Sequence, residues 1–583
     1  MSRVWPSTMP AEIAYPDVGA DALLAGAARA YPNRTALRDG DATLTFAALH
    51  DRALRIAAGL RARGLGPGDV VALHLPNSMW YVVVYYGALC AGLAVAPVNP
   101  AQPADALRAQ LAVLEADAVV THPACAGALR DKTPGAVRLV VHIPGTAAAP
   151  VSDDVTAPAG SVPLEDLLAR EPLQDYRVDP AAVAHLQLTG GTTGRTKAVR
   201  LLHRNLVANV LQTGCWRFAS TPSVDAQGGL RVTAVSDPPP HAVPPGAGVS
   251  IAIAPLFHGL GLVGQNLNTL FGATAVITAG RFDADRFLAD IETYGVTHVS
   301  GSPAMYYGML RSEALDRHDL TSVRLITSGA APIDTTALRR LREVFDHAHV
   351  HEAYGLSEAT MGVTMTPPGL LVPTPPGSVG VPVPDTDLQV RDERTGEALP
   401  SGATGVVWVR GPQVADGYLN DPDLTATQFV DGWLCTGDMG RIDDDGFLFL
   451  MGRSKDMLIY KGYNVYPQPL EEILCGHHAI VEAAVVGRQH DASGEIPVGF
   501  VVLRAEASEA AASRGQDFLD EVMAHVAERV APYQRIRELH IVERLPLTPT
   551  GKVLKTELRG RVAAPYEPIT PATEDPAEAR VEK

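Results

Sequence analysis

Apolar runs of strand length recur along the first two-thirds of the chain, at Val70–Leu75, Ala118–Val120, Arg138–His142, Ser250–Ala254, Ala273–Ile277, His298–Ser300 and Arg324–Ile326. Between them, Phe46–Arg63, Pro103–Glu115 and Thr335–Phe345 repeat their apolar residues at helical spacing. This alternation predicts an α/β protein with stacked, largely parallel sheets. From about Gly377 the texture changes. Leu388–Arg391, Gly405–Arg410 and Phe447–Met451 are short strand-like runs with tight turns such as Asp445-Gly446, which predicts a β-rich subdomain over about 377–452. Beyond it the pattern is that of a smaller α+β unit. Helices are expected after the Pro-containing turn in Tyr463–Cys475 and over Gln516–Val530, and strands at Ile480–Gly487, Gly499–Val502 and Leu539–Val542. A boundary at Arg453–Asp456 gives a large domain over 1–452 and a small one over 453–563. The Pro/Glu-rich tail, 564–583, is expected to be disordered. Ala147–Gly160 and the proline-bearing Ser220–Gly248 read as loops, the second either covering a pocket entrance or lying on the surface.

Trp80–Val98 is uncharged over its whole length, close to what a bilayer requires. Gly87, Gly92 and Pro97 interrupt it, and Pro76-Asn77-Ser78 precedes it as a helix start. A buried helix ending near Gly92, followed by a buried strand Leu93–Val98, is therefore expected, and no membrane span. The 583 residues carry 48 Lys and Arg against 65 Asp and Glu, a formal charge of −17. So acidic a surface disfavours nucleic acid as a partner, and any phosphate must be held by a local device. The five cysteines, at 90, 125, 215, 435 and 475, contain no CxxC pair. They fit reduced thiols, and with no apolar leader at the N-terminus a cytoplasmic location is expected. Self-association into a dimer is left open.

Leu186–Val199, LQLTGGTTGRTKAV, is the most informative stretch. An apolar strand runs into glycines and hydroxyls and then Lys197. Glycines let backbone N–H groups approach phosphate oxygens, threonines add donors, and the lysine adds charge. The Walker spacing is absent. Gly259-Leu260-Gly261-Leu262-Val263-Gly264 also satisfies GxGxxG, with Asp283 about twenty residues on. A lone match of that kind is weak support for a dinucleotide site.

Thr189-Gly190-Gly191-Thr192-Thr193-Gly194-Arg195-Thr196-Lys197-Ala198 resembles the phosphate loop of the adenylate-forming superfamily, which includes the acyl-CoA synthetases. Thr196 and Ala198 stand where that loop has Pro and Gly. Further stretches resemble the family in order along nearly the whole chain: Asp69–Asn77, Val98-Asn99-Pro100, Pro255-Leu256-Phe257-His258, Ser328–Pro332, Tyr354-Gly355-Leu356-Ser357-Glu358, Thr436-Gly437-Asp438, Gly452–Asp456, Lys461–Pro467 and Pro546–Lys555. The resemblance implies ATP, Mg²⁺ and CoA as cofactors and co-substrates. It puts Thr189–Gly194 and Lys197 on the phosphates. Gly329, Ala330 and Ala331 face adenine together with Glu352, Ala353, Tyr354 and Gly355. Ser357 lies near the α-phosphate and Glu358 on the metal. Asp438 and Arg453 are implied at the ribose, Lys455 at a hinge, Lys461, Gly462 and Tyr463 beside the CoA channel, and Lys552 as the adenylation lysine. Each role suits its side chain: an aromatic stacks on a base, and a carboxylate is a hard ligand or accepts from ribose hydroxyls.

The implied reaction joins a carboxylic acid to AMP with release of pyrophosphate, after which a thiol displaces AMP. Catalysis of this kind is electrostatic and positional, with no protein nucleophile. The small domain is expected to carry Lys552 to the large one and then to swing about Lys455. The acid pocket is expected around His258, Gly259, Ser302 and Tyr306, with small residues leaving room for a medium or long, or bulky, apolar acid. His258 reads equally as a gate, a pocket wall or a core histidine; His351 and Glu352 read as packing groups rather than catalysts. Ile459, Gln534 and Ile536 depart from the family pattern. They are compatible with a full CoA ligase, and also with an enzyme that stops at the acyl-adenylate and passes it to a separate acyl acceptor protein or ligase. A silent nucleotide-binding protein is disfavoured by Lys197, Glu358, Asp438 and Lys552.

Overall fold

The computed structural model describes residues 4–6, 9–129, 136–147, 149–152, 157–190, 196–267, 274–277, 282–490, 492–548 and 552–563. The chain divides into two compact units, Met1–Leu450 and Met451–Lys583.

The first unit is built on two seven-stranded sheets. One runs Val162–Pro163, Leu139–His142, Ala118–Thr121, Val70–His74, Ala94–Val98, Val183–Gly190, Thr196–Leu202. The other runs His349–Glu352, Leu325–Ser328, His298–Gly301, Val249–Ala252, Thr274–Ile277, Thr35–Asp39, Ala42–Thr45. In each sheet only the last pair is antiparallel. Parallel strands need crossovers, and the helices that make them cover both faces, which is why these strands read as near-continuous apolar runs.

Helices Phe46–Ala62, Met79–Ala91 and His203–Arg217 share one apolar cluster with residues of both sheets. Ser78 caps the second of them, its hydroxyl accepting from Tyr81 N at 3.4 Å, and the helix ends at Gly92. Among the described residues no helix is long and apolar enough to cross a membrane. His203–Arg217 is buried on nearly every side, so it lacks the amphipathic stripe by which a sequence announces a surface helix. On the outer face of the second sheet, Ile251, Val299, Ile326 and Val350 pack against helices Ala284–Tyr294, Pro303–Leu310 and Thr335–Val344.

The expected loop Ser220–Gly248 is a loop only in its second half. Ser220–Val224 and Leu230–Ala234 pair as an antiparallel hairpin. Asp225 organises its turn by accepting from Gln227 N and Gly229 N, and its carboxylate pairs with Arg29 at 2.7 Å. The hairpin packs on helix Asp21–Ala30, where Gly26 leaves room for Leu230. The prolines that suggested a loop fall almost entirely beyond the hairpin. Farther on, Asp387–Arg391, Gly405–Arg410, Trp433–Ile442 and Phe429–Val430 form an antiparallel sheet, with Leu448–Arg453 also pairing to Trp433–Ile442.

The second unit has its own sheet, ordered Tyr463–Val465, Leu458–Tyr460, Gly494–Leu503, Ile480–His490, with Glu538–Ile541 parallel to Gly494–Leu503. Separate apolar clusters form around Leu470, Val485, Val501 and Val522 and around Val486, Val498, Phe500 and Leu558. Ala505–Arg514 is an additional helix, rich in strong helix formers. The tail 564–583 lies outside the described residues.

Candidate active site

Thr189 and Lys197 face each other across the antiparallel pair that flanks the glycine-threonine loop. Gly191, Thr192, Thr193 and Gly194 themselves lie outside the described residues, and Gly190 is described only through its backbone pairing with Thr196. The return strand Thr196–Leu202 makes Lys197 part of a ladder rather than of a loop. On its other side the segment 416–419 adds further hydrogen bonds, Arg200 N to Gly417 O and Leu419 N to Ala198 O, each within 2.9 Å. That segment carries Tyr418, whose ring lies 5.6 Å from the Lys197 ammonium and whose hydroxyl lies 2.8 Å from Glu358 Oε1. Tyr418 thus connects a lysine and a carboxylate far apart in sequence. Glu358 is half-buried in the one-turn helix Ser357–Ala359, and its carbonyl accepts from Ala415 N. Among the described residues its second carboxylate oxygen accepts no hydrogen bond, which leaves it available to a hard cation.

Tyr354 and Asp438 form a second pair. The Tyr354 hydroxyl donates to Asp438 Oδ2 at 2.5 Å, and both residues are buried. Thr436 holds Asp438 in turn, its hydroxyl accepting from Asp438 N at 3.1 Å and donating to Val407 O at 2.7 Å. Gly329 N donates to Gly301 O and Ala353 N to Ser328 O, which continues the strand ladder into the two expected adenine-side segments. Ala330 has φ 68°, a left-handed conformation unusual for a residue with a side chain. Glu352 is buried, with Oε1 3.4 Å from Ile333 N, and so also closes the loop Gly329–Pro332. Gly355 has a steric reason: a methyl group there would come within 1.6 Å of the Met361 carbonyl oxygen.

Of the residues expected around the acid, His258 is half-buried and accepts from Leu260 N through Nδ1 at 3.3 Å. Gly259 opens the one-turn helix Gly259–Gly261, and Ser302 precedes helix Pro303–Leu310. Tyr306, expected to line the pocket, is instead a core residue. It is fully buried among apolar side chains, and its hydroxyl donates to Thr327 O at 2.8 Å. Of the GxGxxG glycines, Gly261 serves packing: a methyl group there would meet the Pro255 carbonyl oxygen at 2.3 Å. Asp283 is spent as a helix cap, accepting from Arg286 N at 2.8 Å.

In the second unit, Arg453 and Lys455 are exposed at the short turn Ser454–Asp456. Lys461 and Gly462, with φ 50° and 84°, make the two-residue turn of hairpin Leu458–Tyr460 and Tyr463–Val465. Exposed Tyr463 stacks on Tyr533 with centroids 4.7 Å apart. Lys552 is exposed; its backbone N donates to Thr548 Oγ1 at 3.0 Å and its carbonyl accepts from Thr548 N.

Two family models match this chain. Residues 24–419 match the AMP-binding enzyme model, and residues 469–552 match the AMP-binding enzyme C-terminal domain. The chain belongs to the AMP-binding enzyme family. It is 33% identical over 542 residues to 4-coumarate-CoA ligase 1 of Narcissus pseudonarcissus, covering 92% of each chain. It is 32% identical over 574 residues to a long-chain-fatty-acid–CoA ligase of Bacillus subtilis (strain 168), covering 95% of this chain and 96% of that one. Its fold is that of the anthranilate CoA ligase AuaEII, solved with anthranoyl-AMP, at a TM-score of 0.80 and 24% identity over 94% of this chain and 98% of the other. It is an adenylate-forming enzyme of the AMP-forming acid–thiol ligase class.

In this AMP-binding enzyme the first unit brings together Lys197, Glu358 and Tyr418, and separately Tyr354 and Asp438. Tyr418 escaped the sequence reading. The signal was the run Ala415-Asp416-Gly417-Tyr418, with a glycine at φ 123° just ahead of the aromatic. Its meaning depends on the strand it pairs with.

Proposed function

We propose that this ligase activates a bulky, largely apolar carboxylic acid with ATP and passes the acyl group to the thiol of CoA. In the first step a carboxylate oxygen attacks the α-phosphorus and the bond to pyrophosphate breaks. In the second the thiol sulfur attacks the acyl carbon, loses its proton, and AMP leaves. The observation that carries the reading is the Lys197–Tyr418–Glu358 chain, a cation and a hard carboxylate held on one scaffold beside the glycine-threonine segment. Lys197 and Thr189 hold phosphate oxygens, and Ser357 adds a hydroxyl near the α-phosphate. Glu358 would hold Mg²⁺, with Tyr418 fixing the carboxylate; when bound, the ion neutralises phosphate charge. Tyr354 and the residues Gly329, Ala330, Ala331, Glu352, Ala353 and Gly355 accommodate adenine. Asp438 binds the ribose, and the assignment of Arg453 to the ribose rests on its motif. The assignments of Lys552 to adenylation, of Lys455 to the hinge, and of Lys461, Gly462 and Tyr463 to the CoA channel rest on their motifs. Glycine and alanine at 259, 329, 330 and 353 leave room for more than a two-carbon acid.

One observation favours a second reading, in which the acyl-adenylate is handed to another protein. Ile459 is 50% exposed beside the Lys461-Gly462 turn, where a cation for the CoA phosphates would be useful. A single assay separates the two: a carboxylic-acid panel scored by AMP release with and without CoA. CoA-dependent AMP release with thioester formation supports the ligase. Acyl-adenylate that accumulates regardless of CoA overturns it in favour of the second reading.

A further inference from the structure

One face of the second sheet of the first unit carries a row of buried polar side chains, while the other is apolar. Strand register pairs Ser300 with Thr327 and Thr327 with His351, so these side chains form a row on one face. His298, two residues before Ser300, shares it. The alternate residues Val299, Ile326 and Val350 point the other way, into an apolar cluster. Strands covered on both faces are normally aliphatic throughout. Here the four polar side chains are each at most 4% exposed.

Arg217, in the last turn of helix His203–Arg217, stands over this polar face. It is 6% exposed, and the next residue, Phe218, packs against the His298 ring at 4.8 Å. Nη1 of Arg217 donates to Gly264 O at 2.9 Å. Among the described residues its Nε has no partner, and neither does Nε2 of His298 or Nδ1 of His351. Among the described residues no carboxylate pairs with the guanidinium. Burial pushes Arg217 down to about 10, and burial together with the Arg217 charge holds His298 at about 3. A buried cation without an anion is destabilising, and a guanidinium whose Nε is left without an acceptor suits an oxygen partner. The position indicates which partner. The strands bearing the polar row lead at their carboxyl ends into Ser302, Gly329–Ala331 and Ala353–Tyr354, and the turn bearing Gly264 continues from His258. Ligands of such sheets bind beyond the carboxyl ends of the strands.

We propose that Arg217, with His298 and His351, forms the far end of the acid pocket and selects a substrate carrying a second oxygen acceptor remote from the carboxylate that is activated. This rests on the ligase reading above and narrows it: the acid is apolar along its body and polar at its tip. The acceptor is either a second carboxylate or a neutral oxygen, as in a hydroxyl, phenol or ketone.

The test uses the full-length protein with ATP, Mg²⁺ and CoA, and acids matched in length that end in methyl, hydroxyl or carboxylate, aliphatic and aryl. Oxygen-ended acids should exceed their methyl-ended counterparts in kcat/KM by roughly 100-fold, since an apolar tip leaves buried polar groups unpaired. The better of the hydroxyl and carboxylate arms identifies the acceptor. Arg217→Met should reduce the preference to about tenfold or less, and without substrate it should melt above the wild type, because an unpaired buried charge is gone. Arg217→Lys keeps the charge but loses the fork, and should retain a weakened preference. Equal use of methyl-ended acids by the wild type overturns the inference and leaves the ligase reading intact. So does an unchanged preference in Arg217→Met, or a lower melting point for it. AMP release from no acid at all overturns the ligase reading and this inference with it.

Discussion

Replacing Tyr418 by Phe tests whether the Lys197–Tyr418–Glu358 chain works as a unit. The substitution removes one oxygen and keeps the ring. The ring's edge contact with Phe429, centroids 5.7 Å apart, is therefore preserved, as is its place under the Lys197 ammonium. What is lost is the 2.8 Å hydrogen bond to Glu358. The hydroxyl also lies 2.6 Å from Gln428 Oε1, but it has one proton, and the charged carboxylate is the stronger acceptor. A hydrogen bond to a charged group contributes about 1.5–3 kcal/mol, which corresponds to roughly 10- to 150-fold in rate or affinity. Loss of this bond frees Glu358 to rotate, so the effect should fall on the Mg²⁺ and MgATP dependence of pyrophosphate exchange, with a fall of only a few degrees in melting temperature in so large a unit. Tyr418→Leu should lose the ring contacts too and be worse in both respects. An unchanged Mg²⁺ dependence in Tyr418→Phe, with the fold intact, would refute the reasoning.

Lys552→Ala should lower acid-dependent pyrophosphate exchange by orders of magnitude while sparing thioester formation from supplied acyl-adenylate; comparing the two half-reactions checks this, and wild-type exchange would remove the assignment. Gly355→Ala puts a methyl group 1.6 Å from a backbone oxygen, so the local turn must shift; soluble yield and thermal melting should both fall sharply. Asp21 is buried, and burial raises its carboxyl to about 6. A folded-state value above the unfolded one means that the protonated form is favoured by folding, so stability is lost as pH rises from about 4 through 6. Asp21→Asn should accordingly stabilise the protein above pH 6, by up to about 3 kcal/mol, with the gain vanishing below about pH 4; melting curves across pH decide it.

The alternating apolar runs were enough to announce the parallel sheets, because strands covered on both faces are mostly aliphatic. Gly92 and Ser78 likewise set the ends of helix Met79–Ala91 by local chemistry. The order of the glycine-threonine loop, the Tyr354–Glu358 segment and the Thr436–Asp438 segment pointed to nucleotide chemistry without coordinates. Other features were invisible for identifiable reasons. Helix His203–Arg217 has no periodicity, since nearly all its sides are covered. Ser220–Ala234 looked like a loop because prolines follow it, although its own residues alternate as a hairpin does. Tyr306 looked like a pocket residue from its neighbourhood in sequence, but a helix turn points it into the core. Tyr418 and Arg217 acquire meaning only from partners far away along the chain. Local patterns report what a residue needs from its immediate backbone and from water. Which lysine meets which carboxylate, and which cation is left buried without an anion, is decided when distant strands and helices pack.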